Sequence, residues 1–259
     1  MSRIVTITII RHSKSIANEY YDKFGKWAKD EIYRNAVLSD KGIQDIKLLK
    51  SNIVNYIHHN IGDPDYILIS PLKRAIQTGL LILEDVYIPH NKIWITPIVT
   101  EIGNLIENKG VLIENTINDN DITSLKKFKL ISFHNNPETF FFYNNGWKTK
   151  FMDGWELDDS KITNIQNIDS WINLDDGLNI LSDAEKRKIA FFDMISNIKF
   201  SGKNILIFSH YVFIKSILGI ETSNLGAYTF TFNQDTKEIN LINNFEPKDY
   251  KKKYKLKTS

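Results

Sequence analysis

The chain has 259 residues, 42% hydrophobic and 25% charged, which is enough apolar material for one large domain or two small ones and excludes a disordered or collagen-like chain. The 33 Lys and Arg against 31 Asp and Glu leave a formal charge of +2, too small for a dedicated nucleic-acid binder, so any phosphate binding must be local. The absence of Cys excludes disulfides, thiolate nucleophiles and cysteine-type metal sites; it leaves the chemistry to His, carboxylates, hydroxyls and Lys and fits a reducing compartment.

Taken in chain order, Ile4 to Ile10 is short, β-rich and followed directly by Arg11-His12, which reads as a buried strand and not as a signal peptide. Nowhere do 18 apolar residues run without charge, so no membrane contact is expected and the protein is predicted to be soluble and cytoplasmic. Ser39 is placed to cap a helix from about Asp40 to His58, with Ile43, Ile46, Leu49, Ile53 and Ile57 at helical spacing. Tyr66 to Ile69 reads as a second strand, then Leu72 to Leu83 as a helix with Pro71 near its first position, and Ile93 to Ile95 as a third strand. Asp183 to Ile198 is predicted to be a helix whose apolar face includes Ile189, Phe192 and Ile195. Asn204 to Phe208 is a fourth buried strand, Val212 to Leu218 a helix, and Tyr228 to Phe232 with Glu238 to Ile242 a final strand pair. This alternation predicts an α/β fold, a three-layer α/β/α sandwich around a mostly parallel central sheet, with ligands at the carboxyl ends of the strands.

The stretch from about 103 to 181 breaks the alternation, with Phe140 to Tyr143, Trp147, Trp155 and Trp171. It reads as an aromatic-rich cap inserted into a single domain spanning 1–247, its aromatics either packing on each other or walling a substrate pocket. Residues 248–259 form a Lys-rich flexible tail.

Three segments place phosphate-competent residues directly after predicted strands: Arg11-His12 with Ser15 and Asn18, Ser70-Pro71-Leu72-Lys73-Arg74, and Ser209-His210. At one sheet edge they would gather two Arg, two His, an Asn and helix N-termini, the inventory of an oxyanion site for a phosphoryl group. His58, His59, His90 and His134 lack ligand spacing, so no metal and no cofactor is expected.

These residues carry a resemblance. Arg11 to Asn18 resembles the Arg-His-Gly-Glu-Ser-x-x-Asn signature of the histidine phosphatase superfamily, the phosphoglycerate mutase-like fold, and Ser70 to Thr78 resembles its Ser-Pro-Leu-x-Arg-Ala-x-Gln-Thr signature. Leu38 to Gly42 is similar to the family's Leu-Thr-x-x-Gly stretch, Glu101 sits where the family keeps its acid, and Ser209-His210 matches its second His. The resemblance implies that His12 is the nucleophile that becomes phosphohistidine and that Glu101 is the proton donor and later the base. It further implies that Arg11, Asn18, Arg74 and His210, with Ser15, hold the phosphate. The implied activity is a metal-independent phosphomonoester phosphatase acting on a phosphorylated small molecule or phosphoprotein, with no nucleic acid or membrane partner.

Ser13 and Lys14 replace the signature's Gly and Glu, and Tyr211 stands where the family often has Gly, so that it either narrows the pocket or adds a hydroxyl contact. A phosphoglycerate mutase-type phosphotransferase would need Arg groups for a second acidic group. Arg is almost absent between Arg74 and Arg187, leaving Lys126, Lys127 and Lys129 as the substitutes. A non-catalytic phospho-ligand binding module is the third reading, against which stands the retention of every catalytic side chain.

Overall fold

The computed structural model of the chain describes residues 3–86, 93–103, 105–109, 119–125, 184–196 and 200–247. Its strands are β1 Ile4–Arg11, β2 Tyr66–Ile69, β3 Ile93–Ile95, β4 Asn204–Ser209, β5 Ala227–Asn233 and β6 Ile239–Phe245. They form one sheet in the order β3, β2, β4, β1, β5, β6. The pairs β3·β2, β2·β4 and β4·β1 are parallel, and β1·β5 and β5·β6 are antiparallel. The helices are α1 Ile16–Phe24, α2 Asp40–Ile61, α3 Lys73–Ile82, the single turn α4 Asn120–Thr123, α5 Ala184–Ile195 and α6 Tyr211–Leu218. Apart from Gly103, 105–109 and 119–125, the predicted cap lies outside the described residues, as do the Lys-rich tail, His90, His134, Lys126, Lys127 and Lys129. No helix among the described residues is long and apolar enough to cross a membrane.

The central strands are buried on both faces, which is why Ile205, Leu206, Ile207 and Phe208 are consecutive apolar residues with no exposure. On one face Thr8 and Thr229 join hydroxyls at 2.8 Å, and Thr229 in turn donates to the Tyr56 hydroxyl of α2 at 3.1 Å. Gly79 of α3 lies over Ile69 and Phe208 on that same face, where a Cβ would stand 3.1 and 3.2 Å from their side chains. On the other face Phe192 of α5 stacks on Phe232 with centroids 4.9 Å apart, and Phe191 meets Phe213 of α6 edge-on at 5.5 Å. The helix pairs α2·α3 and α5·α6 thus make the outer layers of the predicted sandwich.

Most predicted elements lie within a few residues of those found, and the differences have physical causes. Helix α2 runs on to Ile61 because Ile57 and Ile61 continue its buried stripe, and it stops where Gly62, at a φ of 59°, donates its N–H to the His58 carbonyl. Helix α3 begins at Lys73 with Leu72 as its cap, so Pro71 lies outside the helix and not at its first position. Ile189 is not on the apolar face of α5: it is 59% exposed, while Arg187, Phe191, Met194 and Ile195 are buried. Two residues of helix turn a side chain by about 200°, so burial of 187 and 191 directs 189 to solvent. Helix α1 was not anticipated from the sequence. Only Ala17 of it is buried, so periodicity offers no signal.

Gly42, in the first turn of α2, shows how tightly that helix meets the β1–α1 loop. A Cβ there would stand 2.0 Å from the Lys14 carbonyl oxygen, while the Ser13 hydroxyl donates to the Gly42 carbonyl at 2.8 Å. Gly42→Ala must push backbone from backbone, and a loss of about 3 kcal/mol in urea unfolding is expected. A loss below about 0.5 kcal/mol would refute this account of the contact.

Candidate active site

The pairing register builds the site. Arg11 lies opposite Ser209 and Ile69 opposite Phe208, so His12, His210 and Ser70 leave three neighbouring strands at one level. The rings of His12 and His210 are 5.0 Å apart, and both are buried. Arg74, at the start of α3, reaches over them from its helix and is 2% exposed.

Hydrogen bonds fix the chemistry of each group. The His12 Nδ1 stands 2.6 Å from the Ser13 carbonyl, which accepts only from a protonated nitrogen, so Nε2 carries the lone pair. Arg74 Nε–H donates to that Nε2 at 3.2 Å, while its Nη1 and Nη2 donate to the Glu107 carbonyl at 2.6 Å and to Asn108 Oδ1 at 2.8 Å. Ser70 Oγ accepts from the Leu72 amide and donates to Thr100, so His210 Nε2 at 2.6 Å is its second donor. The remaining His210 nitrogen, Nδ1, is buried without a hydrogen-bond partner among the described residues, and so is the Arg11 Nε–H. Arg11 itself is anchored by its Nη1 donating to the Thr222 carbonyl at 2.6 Å and by the Tyr211 ring, 5.0 Å from the guanidinium carbon.

Glu101 comes from the loop after β3. Its Oε1 accepts from its neighbour Ile102 at 3.0 Å and from the Val212 and Phe213 amides at 3.0 and 3.3 Å, the N-terminus of α6 immediately after His210. Burial nonetheless pushes its carboxyl above the usual carboxylate range, against the pull of Arg74, Arg11 and these amides. Burial, reinforced by the Arg74 and Arg11 charges, holds both His12 and His210 well below the ordinary imidazole range, so both are neutral near pH 7. Burial likewise brings Arg74 down to about 10.

The structure thus brings Arg11, His12, Arg74, Glu101 and His210 together. Ser15 and Asn18 stand at the same rim in a reciprocal cap of α1: Ser15 Oγ accepts the Asn18 N–H and Asn18 Oδ1 accepts the Ser15 N–H, each at 3.2 Å. Lys14 turns away to pair with Asp22. His58 and His59 are exposed on α2, and no group of three His, Asp or Glu among the described residues is placed to hold a metal ion.

Other contributors were missed in the sequence. Asn224 donates to the His12 carbonyl at 3.0 Å and to Asn18 Oδ1 at 3.4 Å. Thr78 takes the Ser13 amide at 3.0 Å, and Gln77 takes the Leu38 amide at 2.8 Å, so the Ser70 to Thr78 stretch also ties down the β1–α1 loop and the approach to α2. Ser70 and Thr78 were visible as parts of the second signature, whereas Asn224 sits in a loop and Glu107 and Asn108 in a single 3-10 turn, Ile106–Asn108, none with periodicity or motif.

No family model matches the chain, and no curated protein does. Among solved structures, the ecdysone phosphate phosphatase from Bombix mori, in complex with tungstate, is similar at 10% identity and a TM-score of 0.52, covering 92% of each chain. The phosphoserine phosphatase from Entamoeba histolytica in complex with 3-phosphoglyceric acid is similar at 18% identity and a TM-score of 0.47, over 92% of this chain and 95% of that one. The phosphoglycerate mutase from Bacillus anthracis is similar at 14% identity and a TM-score of 0.45, over 93% and 92% of the two chains. The chain shares the fold of that ecdysone phosphate phosphatase. In this fold the paired residues Arg11 and Ser209 end adjacent parallel strands, and the two histidines that follow them face each other.

The neutral histidines make stability depend on pH. Their folded pKa values lie below the unfolded value of about 6.5, so their stabilising effect is complete above that pH. It is lost as pH falls, at about 1.4 kcal/mol per pH unit for each histidine until its folded pKa is reached. Urea unfolding of wild type between pH 6 and 5 should show this slope, and His210→Asn should remove about half of it. An unchanged slope in the variant would contradict the assignment.

Proposed function

We propose that the chain is a metal-independent phosphomonoester phosphatase that works through a phosphohistidine on His12. The observation that carries this reading is the pair of unpartnered buried nitrogens, Arg11 Nε–H and His210 Nδ1, beside the His12 Nε2 lone pair and the Arg74 guanidinium. A phosphoryl group supplies what these groups lack. Its oxygens accept from Arg11 and Arg74, and its negative charge raises the His210 pKa so that Nδ1 can take up a proton and donate. The fold shared with an ecdysone phosphate phosphatase supports the same reading, as does the class of substrate, a phosphorylated small molecule.

In the first step Arg74 Nε–H turns from His12 Nε2 to a phosphate oxygen, and the freed lone pair attacks phosphorus in line. The P–O bond to the alcohol breaks, and Glu101, whose carboxyl burial shifts toward the protonated form, gives its proton to the leaving oxygen. In the second step the Glu101 carboxylate takes a proton from water, the water oxygen attacks phosphorus, and the P–N bond breaks to return neutral His12 and phosphate. Arg11 and Arg74 offset the charge on the equatorial oxygens throughout. Burial, with the same two cations, keeps His12 unprotonated at the start, which nucleophilic attack requires.

Hydrolysis of 4-nitrophenyl phosphate from pH 5 to 8 in EDTA tests this. Wild type should retain full turnover, and His12→Ala should lose it by about 10³-fold or more. Glu101→Gln should still release a burst of nitrophenol and then accumulate the enzyme with one added phosphoryl group after an alkaline quench. Turnover abolished by EDTA, or retained in His12→Ala, would overturn the reading.

A further inference from the structure

Arg187 is a buried cation that the mechanism above does not use. It lies on α5, on the outer layer opposite α2 and α3, with no exposure. Its Nη1 donates to the Ile98 carbonyl at 3.3 Å and to the Thr100 carbonyl at 3.1 Å, within the segment that leads directly into Glu101. The intervening Val99 carbonyl is taken by Ser209 Oγ at 2.6 Å, and the Thr100 hydroxyl accepts from Ser70, the partner of His210. Three consecutive carbonyls before the acid are thereby fixed, two of them by one guanidinium. Both bonds leave one nitrogen whose two N–H directions are fixed by the guanidinium plane, an orientation that a Lys ammonium on a flexible stem does not hold.

Charge links the same groups. Burial brings the Arg187 cation down to about 9, and the Glu101 charge is what opposes that fall. The coupling is mutual, so Arg187 favours the carboxylate form of Glu101. Arg187 is also among the cations that keep His210 neutral.

We propose that Arg187 is a positioning residue for Glu101, holding the Ile98–Thr100 segment so that the acid sits on the α6 amides within reach of the leaving group. This deepens the phosphatase reading and rests on it. When Glu101 gives up its proton, the carboxylate that forms lies in a site already provided with a buried cation and two amides, so its formation needs no rearrangement. Without Arg187 the segment loses its clamp on two carbonyls, and Glu101 becomes both misplaced and a weaker acid.

The reading has a signature that a general loss of structure lacks. Protonation matters greatly for an alkoxide leaving group and little for nitrophenolate, so a displaced acid selectively harms alkyl esters. We would compare kcat/KM for 4-nitrophenyl phosphate and for glycerol phosphate in wild type, Arg187→Met and Arg187→Lys, since kcat/KM reports the step in which the ester bond breaks. Arg187→Met should lower kcat/KM for glycerol phosphate by about 10- to 100-fold and for 4-nitrophenyl phosphate by less than about 3-fold. The acidic limb of its kcat profile, set by the Glu101 carboxylate as base, should move to higher pH. Arg187→Lys, which keeps the charge but not the planar, fixed N–H directions, should give an intermediate alkyl-to-aryl ratio and little movement of that limb. If Arg187→Met does not fold, the alkyl-to-aryl ratio of Arg187→Lys decides alone. Equal losses on both esters, or none, would overturn the role of Arg187 while leaving the phosphatase intact. Absence of wild-type turnover on both esters would instead overturn the phosphatase reading and this inference with it.

Discussion

The parallel pairing of β1 with β4 is the constraint on which the site depends. Because Arg11 lies opposite Ser209, the residues that follow leave the sheet together and bring two imidazole rings to 5.0 Å. Because Ile69 lies opposite Phe208 in the next pair, Ser70 arrives within 2.6 Å of His210. A slip of one residue would separate these groups and would also turn every buried Ile and Phe of the strand to the wrong face. Core packing therefore enforces the geometry of the polar site: the energy that holds His12 beside His210 is the burial of Ile7, Ile9, Ile207 and Phe208, not any bond between the histidines.

Burial at this edge creates an electrostatic problem whose solution is itself functional. Arg74 and Arg11 are held mainly by neutral acceptors: the carbonyls of Glu107 and Thr222, the Asn108 amide and the His12 imidazole. Such partners offset desolvation without cancelling charge, so the site keeps a positive field for an incoming dianion. That field in turn acts on the protonation of its neighbours. It adds to the burial that holds both histidines neutral, and it tempers the rise that burial imposes on Glu101. A carboxyl shifted toward its protonated form thus lies beside two imidazoles held unprotonated.

How much of this could be read from the sequence depends on where each residue's role is encoded. The stretch from Ser70 to Thr78 was legible because most of its polar side chains each hold one particular neighbour, with Ser70 on His210, Arg74 on His12, Gln77 on Leu38 and Thr78 on Ser13. Strands β1 and β4 were legible because burial on two faces demands mostly apolar runs, broken in β1 only by Thr6 and Thr8 before Arg11. Helix α1 was not, since a helix with one buried residue leaves no periodic trace, and its capping pair Ser15 and Asn18 read only as ligands. Ile189 was misplaced because a charged residue, Arg187, occupies the core-facing position that a periodicity search reserves for an apolar one. Asn224 acts through a side-chain amide and Thr222 through a backbone carbonyl, both placed by a loop for which no residue pattern exists.

The departures from the resembled signature turn out to be absorbed locally. Tyr211 follows His210 as the first residue of α6, where a large side chain could have filled the pocket; instead its ring lies against Arg11 and its hydroxyl is bound to Glu221. Its bulk thus contributes to holding the Arg11 guanidinium, in company with the Thr222 carbonyl on the adjoining residue. Ser13, in place of a glycine, turns its hydroxyl to the Gly42 carbonyl and gives its amide to Thr78, so the added atoms serve to fasten the β1–α1 loop to α2 and α3. That fastening is possible only because Gly42 has no Cβ to keep the loop away. A larger residue at 13 and the smallest at 42 are two halves of one contact, and the conformation of the loop that presents His12 follows from both.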